Sequence, residues 1–405
     1  MKMNPNLLGP IEPRKVSILG STGSVGCSTV DLVARYPENF PVQALVANKN
    51  WQLLAQQTRQ LHPKLVVIGD VAHYKDLKNA LSDTRVEITA GEEAVVEAAS
   101  YPTDWTMSAI VGAAGLKPTM AAIRQGKMVA LANKESLVCG GRLLMQEVKK
   151  YQTQLLPTDS EHSAIFQVFE NQHCETIEKI ILTASGGPFR QWPIEKMADI
   201  TPEQAVAHPN WSMGTKISID SATMMNKGLE LIEAFHLFGI DEKQIDIVVH
   251  PQSIIHSLIS YIDGSVLAQL GMPDMRTPIA YALSWPTRIK TPVKRLNLVD
   301  IMSMSFEAPD IKRFPCLRLA RQVIELGEGA TTALNAANEV AVQYFLNRKI
   351  SFLNIPAVVE ATLDSIANFD IKNIDEIFHM DHLAREKAKM ICQGKNINKA
   401  RYVAQ

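Results

Sequence analysis

The chain has 405 residues, of which 46% are hydrophobic and 20% charged, so it can bury a large core and exceeds the size of one ordinary domain. Its 41 basic and 42 acidic residues leave a formal net charge of -1, which excludes the basic surplus typical of nucleic-acid-binding proteins. No nucleic-acid partner is therefore expected, and any recognition of phosphate has to be local.

Short apolar strands alternate with helical patterns along the first third of the chain. The predicted strands are KVSILG, VQALVA, KLVVIG and RVEITA, and helices are predicted after them at 24–36, 51–61, 71–81 and 92–99. Further strands follow at MSAIVG, MVALA and TQLLP. Strands that are apolar on both faces are typical of a parallel sheet covered by helices, so we predict a doubly wound, Rossmann-like α/β domain.

The segment at 177–285 has a different pattern. A strand, IEKIILTAS, precedes an irregular stretch at 185–216 that is rich in Pro, Gly and Trp, and a helix is predicted at 222–238. Two alternating runs, SIIHSLISYI and SVLAQLG, meet at Asp263-Gly264, a dipeptide suited to the positive φ angles of a hairpin turn. We predict an α+β domain with a mixed or antiparallel sheet. The irregular stretch is interpreted as a lid over a substrate, with a passive loop as the alternative.

Helical periodicity continues almost to the end of the chain after a connection rich in Pro and charge, TRIKTPVKRLNLVD. A small C-terminal helical domain is therefore predicted. The five cysteines are scattered and include no Cys-x-x-Cys pair, which indicates reduced thiols rather than a disulfide framework or a zinc site. No apolar run is long enough to span a bilayer or to form a signal peptide, so we expect a soluble cytoplasmic protein without a membrane partner.

A glycine-rich run, GSTGSVG at residues 20–26, lies between the first predicted strand and its helix. Glycine lets the backbone approach a pyrophosphate closely, and the free amides at a helix start bind its charge. The Gly-x-x-Gly-x-x-Gly spacing is a variant of the dinucleotide fingerprint and is moderately specific. The alternative is a tight turn with packing glycines.

The end of the second strand indicates which dinucleotide binds. An NAD site usually has an acid at this position, whereas this chain has Asn48, Lys49 and Asn50. Hydrogen-bond donors and a positive charge at this position favour NADP, because they can accommodate its 2′-phosphate. Alternatively, Lys49 is only solvated.

Asp159 and Glu161 lie on either side of Ser160, just after the run TQLLP. If the segment is extended, residues i and i+2 point the same way, so the two carboxylates converge on one metal ion. Alternatively, Asp159 caps a helix that begins near His162. The four residues alone favour the cap, whereas their position at the carboxyl end of a predicted parallel strand favours a ligand site.

A third acid, Glu230, follows Asn226 and Lys227 on one predicted helix. Three carboxylates without Cys or His form a hard oxygen site, suited to Mg²⁺ or Mn²⁺. Several residues could donate hydrogen bonds to a phosphate: His208, Ser185, Ser221, Asn226 and Lys227. Each of them alone is a weak signal, because a single lysine or histidine more often has a purely structural role.

Eight runs, in the family's order along nearly the whole chain, closely resemble the 1-deoxy-D-xylulose 5-phosphate reductoisomerase family: GSTGSVG, ANKESLV, LLPTDSEHSAIFQ, SGGPFR, HPNWSMGTKISIDSATMMNKGLELIEA, HPQSIIHS, GMPDMRTPIAYALSWP and ATTALNAANE. The resemblance implies a homodimeric, NADPH-dependent enzyme of non-mevalonate isoprenoid biosynthesis. It implies an NADPH domain at 1–157, a catalytic and dimerisation domain at 158–290 with the lid at 185–216, a linker at 291–312, and a helical domain at 313–405.

The resemblance also implies roles for individual residues. The ligands of a divalent metal, Mg²⁺ or Mn²⁺ with Co²⁺ as a further candidate, would be Asp159, Glu161 and Glu230. The residues that contact NADPH would be Thr22, Gly23, Ser24, Val25, Asn48, Lys49, Asn50, Asn133, Glu135 and Gly214. The residues that bind the sugar phosphate substrate would be Ser160, Lys134, Ser185, His208, Ser221, Asn226 and Lys227, with Trp211 and Met213 on the lid over the substrate and the nicotinamide.

The implied reaction converts 1-deoxy-D-xylulose 5-phosphate to 2-C-methyl-D-erythritol 4-phosphate by metal-assisted rearrangement and hydride transfer. As a hypothesis, Glu161 moves the hydroxyl proton and Lys134 orients the substrate. The departures from the family pattern are Val25, Asn48 and Ala184, and none removes a ligand or a charge. One alternative is a metal-independent dehydrogenase of the homoserine or aspartate-semialdehyde type. The other is a non-catalytic NADPH-binding protein, and the presence of all three acids argues against this second alternative.

Overall fold

The structure is a computed structural model that describes residues 13–170, 173–207, 214–367 and 370–394. The strands of this part of the chain are β1 (Val16–Leu19), β2 (Val42–Ala47), β3 (Leu65–Ile68), β4 (Glu87–Ala90), β5 (Trp105–Ser108), β6 (Met128–Leu131), β7 (Gln154–Pro157), β8 (Ile177–Ala184), β9 (Ile245–Val249), β10 (Ile255–Tyr261) and β11 (Val266–Leu270). Its α-helices are α1 (Ser24–Ala34), α2 (Trp51–Leu61), α3 (Tyr74–Ala80), α4 (Glu92–Ala99), α5 (Leu116–Ile123), α6 (Lys134–Tyr151), α7 (Ser160–Val168), α8 (Ile194–Met197), α9 (Pro202–Val206), α10 (Thr215–Ala222), α11 (Met225–Phe238), α12 (Arg276–Ser284), α13 (Leu298–Ile301), α14 (Cys316–Leu326), α15 (Glu328–Leu346), α16 (Asn354–Asp364) and α17 (Ile374–Gln393).

The chain forms two compact units, each assembled from separate segments. The first unit contains the described residues as far as Ser136, then Leu144–Ser163 and Asp274–Arg295. The second contains Leu137–Leu143, Ala164–Pro273 and the described residues from Leu296 onward. The domain boundaries expected at 157, 290 and 312 remain a prediction.

The first unit is built on a parallel sheet of seven strands in the order β4-β3-β2-β1-β5-β6-β7. All residues of β1, β3 and β5 are buried, as expected for apolar strands covered by helices on both faces. The strand order reverses at β1: β2, β3 and β4 lie on one side of it, and β5, β6 and β7 lie on the other. In such sheets the carboxyl ends of the strands at this point bind ligands. The predicted Rossmann-like class is confirmed.

Helix α12 belongs to the first unit although it lies far along the chain. The Trp105 indole Nε1 donates to the Ala282 carbonyl at 3.0 Å. Arg14 donates to two carbonyls at the carboxyl end of α12, Leu283 O at 3.1 Å and Trp285 O at 2.6 Å. A cation at this end of a helix satisfies carbonyls that lack partners within the helix.

The second unit contains a mixed sheet in the order β11-β10-β8-β9, in which β8 pairs parallel with β9 and antiparallel with β10. The β10–β11 hairpin turns where the sequence predicts it. Of the Asp263-Gly264 pair, only Gly264 has a positive φ, at 86°, and the Tyr261 amide donates to Ser265 O at 2.9 Å. The turn therefore needs one left-handed residue.

The C-terminal helices confirm the predicted helical region. Helix α15 packs against α14, α16 and α17. Five of its fourteen buried residues are alanines, whose small side chains let the neighbouring helices approach closely.

Two predicted elements are wrong in detail. The helix expected at 222–238 begins three residues later, as α11 at Met225, and is separated from α10 by Met224, which adopts the left-handed conformation with φ 60°. The stretch at 185–216, expected to be irregular, contains α8 and α9, and α10 begins at Thr215. Helix α9 is stabilised by a capping box, in which the Thr201 side chain accepts from the Gln204 amide.

Within the described ranges, the structure has no helix that is both long enough and apolar enough to cross a membrane.

Candidate active site

The glycine-rich run forms a tight turn between β1 and α1. Gly20 has φ 86°, and a Cβ at this position would lie 2.5 Å from Ala109 O, at the end of the neighbouring strand β5. A Cβ on Gly26 would overlap Gly20 O and lie 2.6 Å from the Ser21 carbonyl carbon. The first amides of α1 have no partner inside the helix. The turn therefore has the shape and the polarity that a pyrophosphate group requires.

The polar residues after β2 are exposed, as a site for a charged ligand requires. Asn50 caps α2, since its side chain accepts from the Leu53 amide at 3.1 Å. The Lys49 side chain is 71% exposed, and its Nζ lies 4.0 Å from Asp70 Oδ2. Asp70 was not predicted, because it follows β3, and β3 lies beside β2 only in the folded sheet. An exposed pair at this distance contributes little, and Lys49 remains available to a phosphate.

Asn133 connects the ends of β5 and β6. Its side-chain oxygen caps α6 by accepting from the Ser136 amide at 2.6 Å, and its Nδ2 donates to Gly112 O at 3.0 Å and to Ile110 O. Residue patterns alone did not identify Asn133 or Lys134. The available signal was an N-cap residue directly after a parallel strand.

Lys134, the first residue of α6, pairs with Asp159, and their Nζ and Oδ2 atoms are 2.6 Å apart. Burial by itself would raise the pKa of the Asp159 carboxyl, but the Lys134 ammonium and His162 outweigh burial and hold that pKa well below its ordinary value. His162 is fully buried, and its Nδ1 lies 3.3 Å from Asp159 Oδ1. No role of His162 was predicted from the residue pattern, although its i+3 spacing from Asp159 was the signal that the two side chains meet.

The segment around Ser160 is helical, so the extended alternation assumed for Asp159 and Glu161 is wrong. Asp159 precedes α7, and its Oδ1 accepts from the Glu161 amide at 3.3 Å, as a helix cap does. Nevertheless, one carboxylate oxygen of Asp159 and one of Glu161 lie within 4.8 Å of each other. The Ser160 hydroxyl donates to Glu161 Oε2 at 2.7 Å. Capping and metal binding are therefore compatible at this helix start.

In the second unit, Asn226, Lys227 and Glu230 meet on the first turns of α11. The Asn226 amide donates to Glu230 Oε1, and the Lys227 ammonium pairs with Glu230 Oε2. Lys227 and Glu230 are both buried. Because both of its oxygens are engaged, the buried Glu230 carboxylate has a fixed orientation.

The start of the predicted lid packs against the end of α10. Gly187 has φ 68°, and a Cβ there would lie 2.8 Å from Ser221 O. The Ser185 hydroxyl oxygen accepts from the Gly187 amide at 3.3 Å. The structure thus brings together the stretches that carry Ser185 and Ser221. Gly214 is the N-cap of α10, whereas His208, Trp211 and Met213 lie outside the described residues.

A buried polar network holds α10 to the C-terminal helices. Asp220, one residue before Ser221, receives the Lys216 ammonium at 3.0 Å and the Asn338 amide of α15 at 2.8 Å. Asp220 and Asn338 are buried.

Two of the departures from the family pattern occur where the backbone does not need glycine. Neither Asn48 nor Ala184 has a positive φ. The Ala184 carbonyl accepts from the His250 amide at 2.7 Å, a bond that any residue can make.

Three family models match consecutive parts of the chain. They are described as 1-deoxy-D-xylulose 5-phosphate reductoisomerase at residues 16–141, its C-terminal domain at 155–238, and DXP reductoisomerase C-terminal domain at 270–387. The 1-deoxy-D-xylulose 5-phosphate reductoisomerase of Rhodospirillum centenum is 58% identical over 94% of this chain and 95% of its own.

Two solved structures of reductoisomerases are also similar to this chain. The enzyme from Zymomonas mobilis, in complex with NADPH, is 51% identical with a TM-score of 0.90, over 95% of this chain and all of that chain. A crystal structure of DOX-P reductoisomerase in complex with NADPH, fosmidomycin and magnesium is 44% identical with a TM-score of 0.90, over 94% of this chain and all of that chain.

Proposed function

The chain belongs to the 1-deoxy-D-xylulose 5-phosphate reductoisomerase family, and on this premise we propose that it converts 1-deoxy-D-xylulose 5-phosphate to 2-C-methyl-D-erythritol 4-phosphate with NADPH. The observation that carries the proposal is the 58% identity to a relative of this name along 94% of the chain. The resemblance inferred from the eight sequence runs is thereby confirmed. The product places the enzyme in non-mevalonate isoprenoid biosynthesis.

NADPH is the cofactor named with two of the related structures, and the glycine turn of this chain fits its pyrophosphate. Bound NADPH supplies the hydride. We assign its contacts to Thr22, Gly23, Ser24, Val25, Asn48, Lys49, Asn50, Asn133, Glu135 and Gly214. Lys49 and the two asparagines beside it would recognise the 2′-phosphate, because they present donors and a positive charge in solvent.

A divalent metal ion would be held by Asp159, Glu161 and Glu230. These are hard oxygen ligands of the kind that Mg²⁺ and Mn²⁺ prefer, and Co²⁺ is a further candidate. Magnesium is named with a related structure. When bound, the metal supplies polarisation of the substrate's carbonyl oxygen. Although burial would raise the pKa of the Asp159 carboxyl, the Lys134 ammonium helps to hold that pKa well below its ordinary value, which keeps Asp159 in the charged state that a metal requires.

The substrate's phosphate would be bound by Ser185, His208, Ser221, Asn226 and Lys227. Hydroxyl, amide and ammonium donors suit a phosphate, and its remote binding energy would position the reacting carbons. We assign Trp211 and Met213 to a lid over the substrate and the nicotinamide. Ser160 and Lys134 would contact the other end of the substrate.

Glu161 is the proposed proton acceptor for the substrate's hydroxyl group. The Ser160 hydroxyl donates to its Oε2, which stabilises the carboxylate form and fixes its direction. Turnover that is unchanged in a Glu161→Gln protein with metal bound would contradict this role.

A homodimer is proposed as the working form. Strand β11 is an edge strand, and Val266 and Leu267 on it are 52% and 43% exposed. An exposed apolar edge strand is a surface that natural proteins usually cover. Sedimentation equilibrium should give about twice the chain mass of 44.8 kDa.

A cytoplasmic location is also proposed, because the cytoplasm supplies NADPH and keeps thiols reduced. Recovery of the chain in a secreted or membrane fraction would count against it.

The proposed activity is tested by following NADPH oxidation with 1-deoxy-D-xylulose 5-phosphate, with and without EDTA, for the wild type and for Glu230→Gln. We expect oxidation that depends on added Mg²⁺ or Mn²⁺ and falls at least about 100-fold in the variant, because one ligand loses its charge. Glu386→Gln is the matched control, since Glu386 also pairs with a lysine three residues away but is exposed. Oxidation that is indifferent to EDTA would favour a metal-independent dehydrogenase.

A further inference from the structure

Gln57 of α2 is a buried polar residue to which the proposed function gives no role. Only 3% of it is exposed. Its Nε2 donates to the Ser21 carbonyl at 2.9 Å, and the Cys27 thiol lies 3.8 Å from the same oxygen. Ser21 is the fully buried second residue of the glycine turn. A side chain from a different helix therefore holds the backbone of the turn.

The hydrogen bonding fixes the orientation of the Gln57 amide. A carbonyl oxygen only accepts, so the NH₂ group has to face Ser21. Among the described residues, the Gln57 Oε1 atom has no hydrogen-bond partner, and neither does the Ser21 hydroxyl. A buried amide oxygen without a partner costs stability. The hydrogen bond from the NH₂ group to the Ser21 carbonyl is therefore the polar contact that Gln57 contributes here.

Holding the Ser21 carbonyl also sets the direction of the next amide. The Ser21 C=O and the Thr22 N–H belong to one planar trans peptide and point in opposite directions. The Gly20 and Ser21 amides are occupied, since both donate to Val46 O, at 2.9 and 2.8 Å. In the described part of the chain, no backbone acceptor takes the Thr22 N–H. Gln57 draws the carbonyl inward, so the Thr22 N–H faces away from Gln57.

The position of Gln57 on α2 connects two parts of the proposed NADPH site. Asn50 caps α2, and Gln57 lies seven residues further along, which is about two helical turns and returns to the same face. The helix that starts beside the proposed 2′-phosphate residues thus also carries the amide that holds the turn.

We propose that Gln57 is a positioning residue for the cofactor: it holds the Ser21–Thr22 peptide so that the Thr22 N–H is directed at the pyrophosphate of NADPH. This inference rests on the NADPH site proposed above.

The test measures NADPH binding by fluorescence in the full-length protein for Gln57→Met, Gln57→Asn and Gln56→Met. Methionine keeps the volume of the side chain but has no donor, and asparagine keeps the amide but is one methylene too short to reach Ser21. Gln56 is the matched control, because it is the exposed neighbour on the same helix. We expect the Kd for NADPH to rise about tenfold in both Gln57 variants and to stay unchanged in the control.

Further measurements distinguish positioning from a general structural role. The KM for NADPH should rise in parallel, while kcat at saturating NADPH and the KM for the substrate stay unchanged. The Kd for 2′-AMP, which has no pyrophosphate, should also stay unchanged. Wild-type affinity for NADPH in both Gln57 variants would overturn the inference, and so would an equal loss for NADPH and 2′-AMP, which indicates a displaced α2. Wild-type protein that binds no NADPH would overturn the proposed function itself, and the inference with it.

Discussion

Gly26 and Gly23 of the turn before α1 are glycines for different reasons. A Cβ on Gly26 would collide with backbone atoms of Gly20 and Ser21, which cannot move away as a side chain can. Gly23 has φ -77°, and a Cβ there would lie 3.5 Å from Gly20 O, an ordinary contact. Gly26 thus serves the packing of the turn, whereas Gly23, which is exposed, leaves room for a ligand.

The pair of alanine variants should separate these two roles. Gly26→Ala should lower the free energy of unfolding by about 3 kcal/mol, because it inserts a methyl group against backbone. Gly23→Ala should change it by less than about 1 kcal/mol. Gly23→Ala should still raise the Kd for NADPH at least about tenfold, because the methyl group stands where the pyrophosphate is proposed to bind. Urea unfolding and fluorescence titration measure the two effects.

Equal stability of the two alanine variants would contradict the packing role of Gly26. Unchanged NADPH binding by Gly23→Ala would place the pyrophosphate elsewhere.

At single residues, the sequence predicted chemistry better than conformation. The carboxylates of Asp159 and Glu161 were identified by type, and they do lie close together, but in a helix start rather than in an extended segment. Local pattern could not decide this, because an acid before a helix is equally suited to capping and to metal binding. Asp70 could not be found beside Lys49, since their proximity depends on the pairing of β2 with β3.

At the scale of elements, the division between α10 and α11 places Ser221 near the start of the helix that carries Asn226 and Lys227. Met224 adopts a left-handed conformation that methionine rarely takes. The Thr223 hydroxyl accepts from the Met225 amide at 3.3 Å and supports the new helix start. Neither Thr223 nor Met224 is a Gly, Pro or Asn that would mark the break, which is why the helix was predicted to begin at 222 rather than at Met225.

The contact between α15 and α10 should matter for the substrate. Asn338→Leu removes the amide that binds the buried Asp220 carboxylate and should lower the free energy of unfolding by about 2 kcal/mol. Because Ser221 is the next residue, we expect the KM for the substrate to rise several-fold, with an unchanged Kd for NADPH. Gln343→Leu, on an exposed position of the same helix, is the control. Steady-state kinetics and urea unfolding measure both effects, and an unchanged KM would limit Asn338 to packing.

At the scale of the whole molecule, the exposed edge of β11 gives a test of the proposed homodimer. Val266→Lys should give a monomer in sedimentation, because a charged edge residue prevents pairing with another strand. Val71→Lys is the control, since Val71 is 67% exposed in the first unit. A Val266→Lys protein that sediments as a dimer would exclude this edge as the interface.

The larger architecture was only partly predictable. Alternation of strands and helices indicated a parallel sheet, and the structure confirms it. The strand order and the assignment of α12 to the first unit were not predictable, because both depend on contacts between residues far apart in the chain.

The segmented make-up of the first unit has a consequence for the protein's synthesis. The ribosome makes the seven strands of the parallel sheet early, but the Ala282 carbonyl that binds Trp105, and the helix end that binds Arg14, emerge only after the whole of Ala164–Pro273. Until then Trp105, which is fully buried in the finished protein, lacks its cover. The nascent chain therefore carries an unfinished apolar surface through much of its elongation, and exposed apolar surface of this kind makes a chain prone to aggregation.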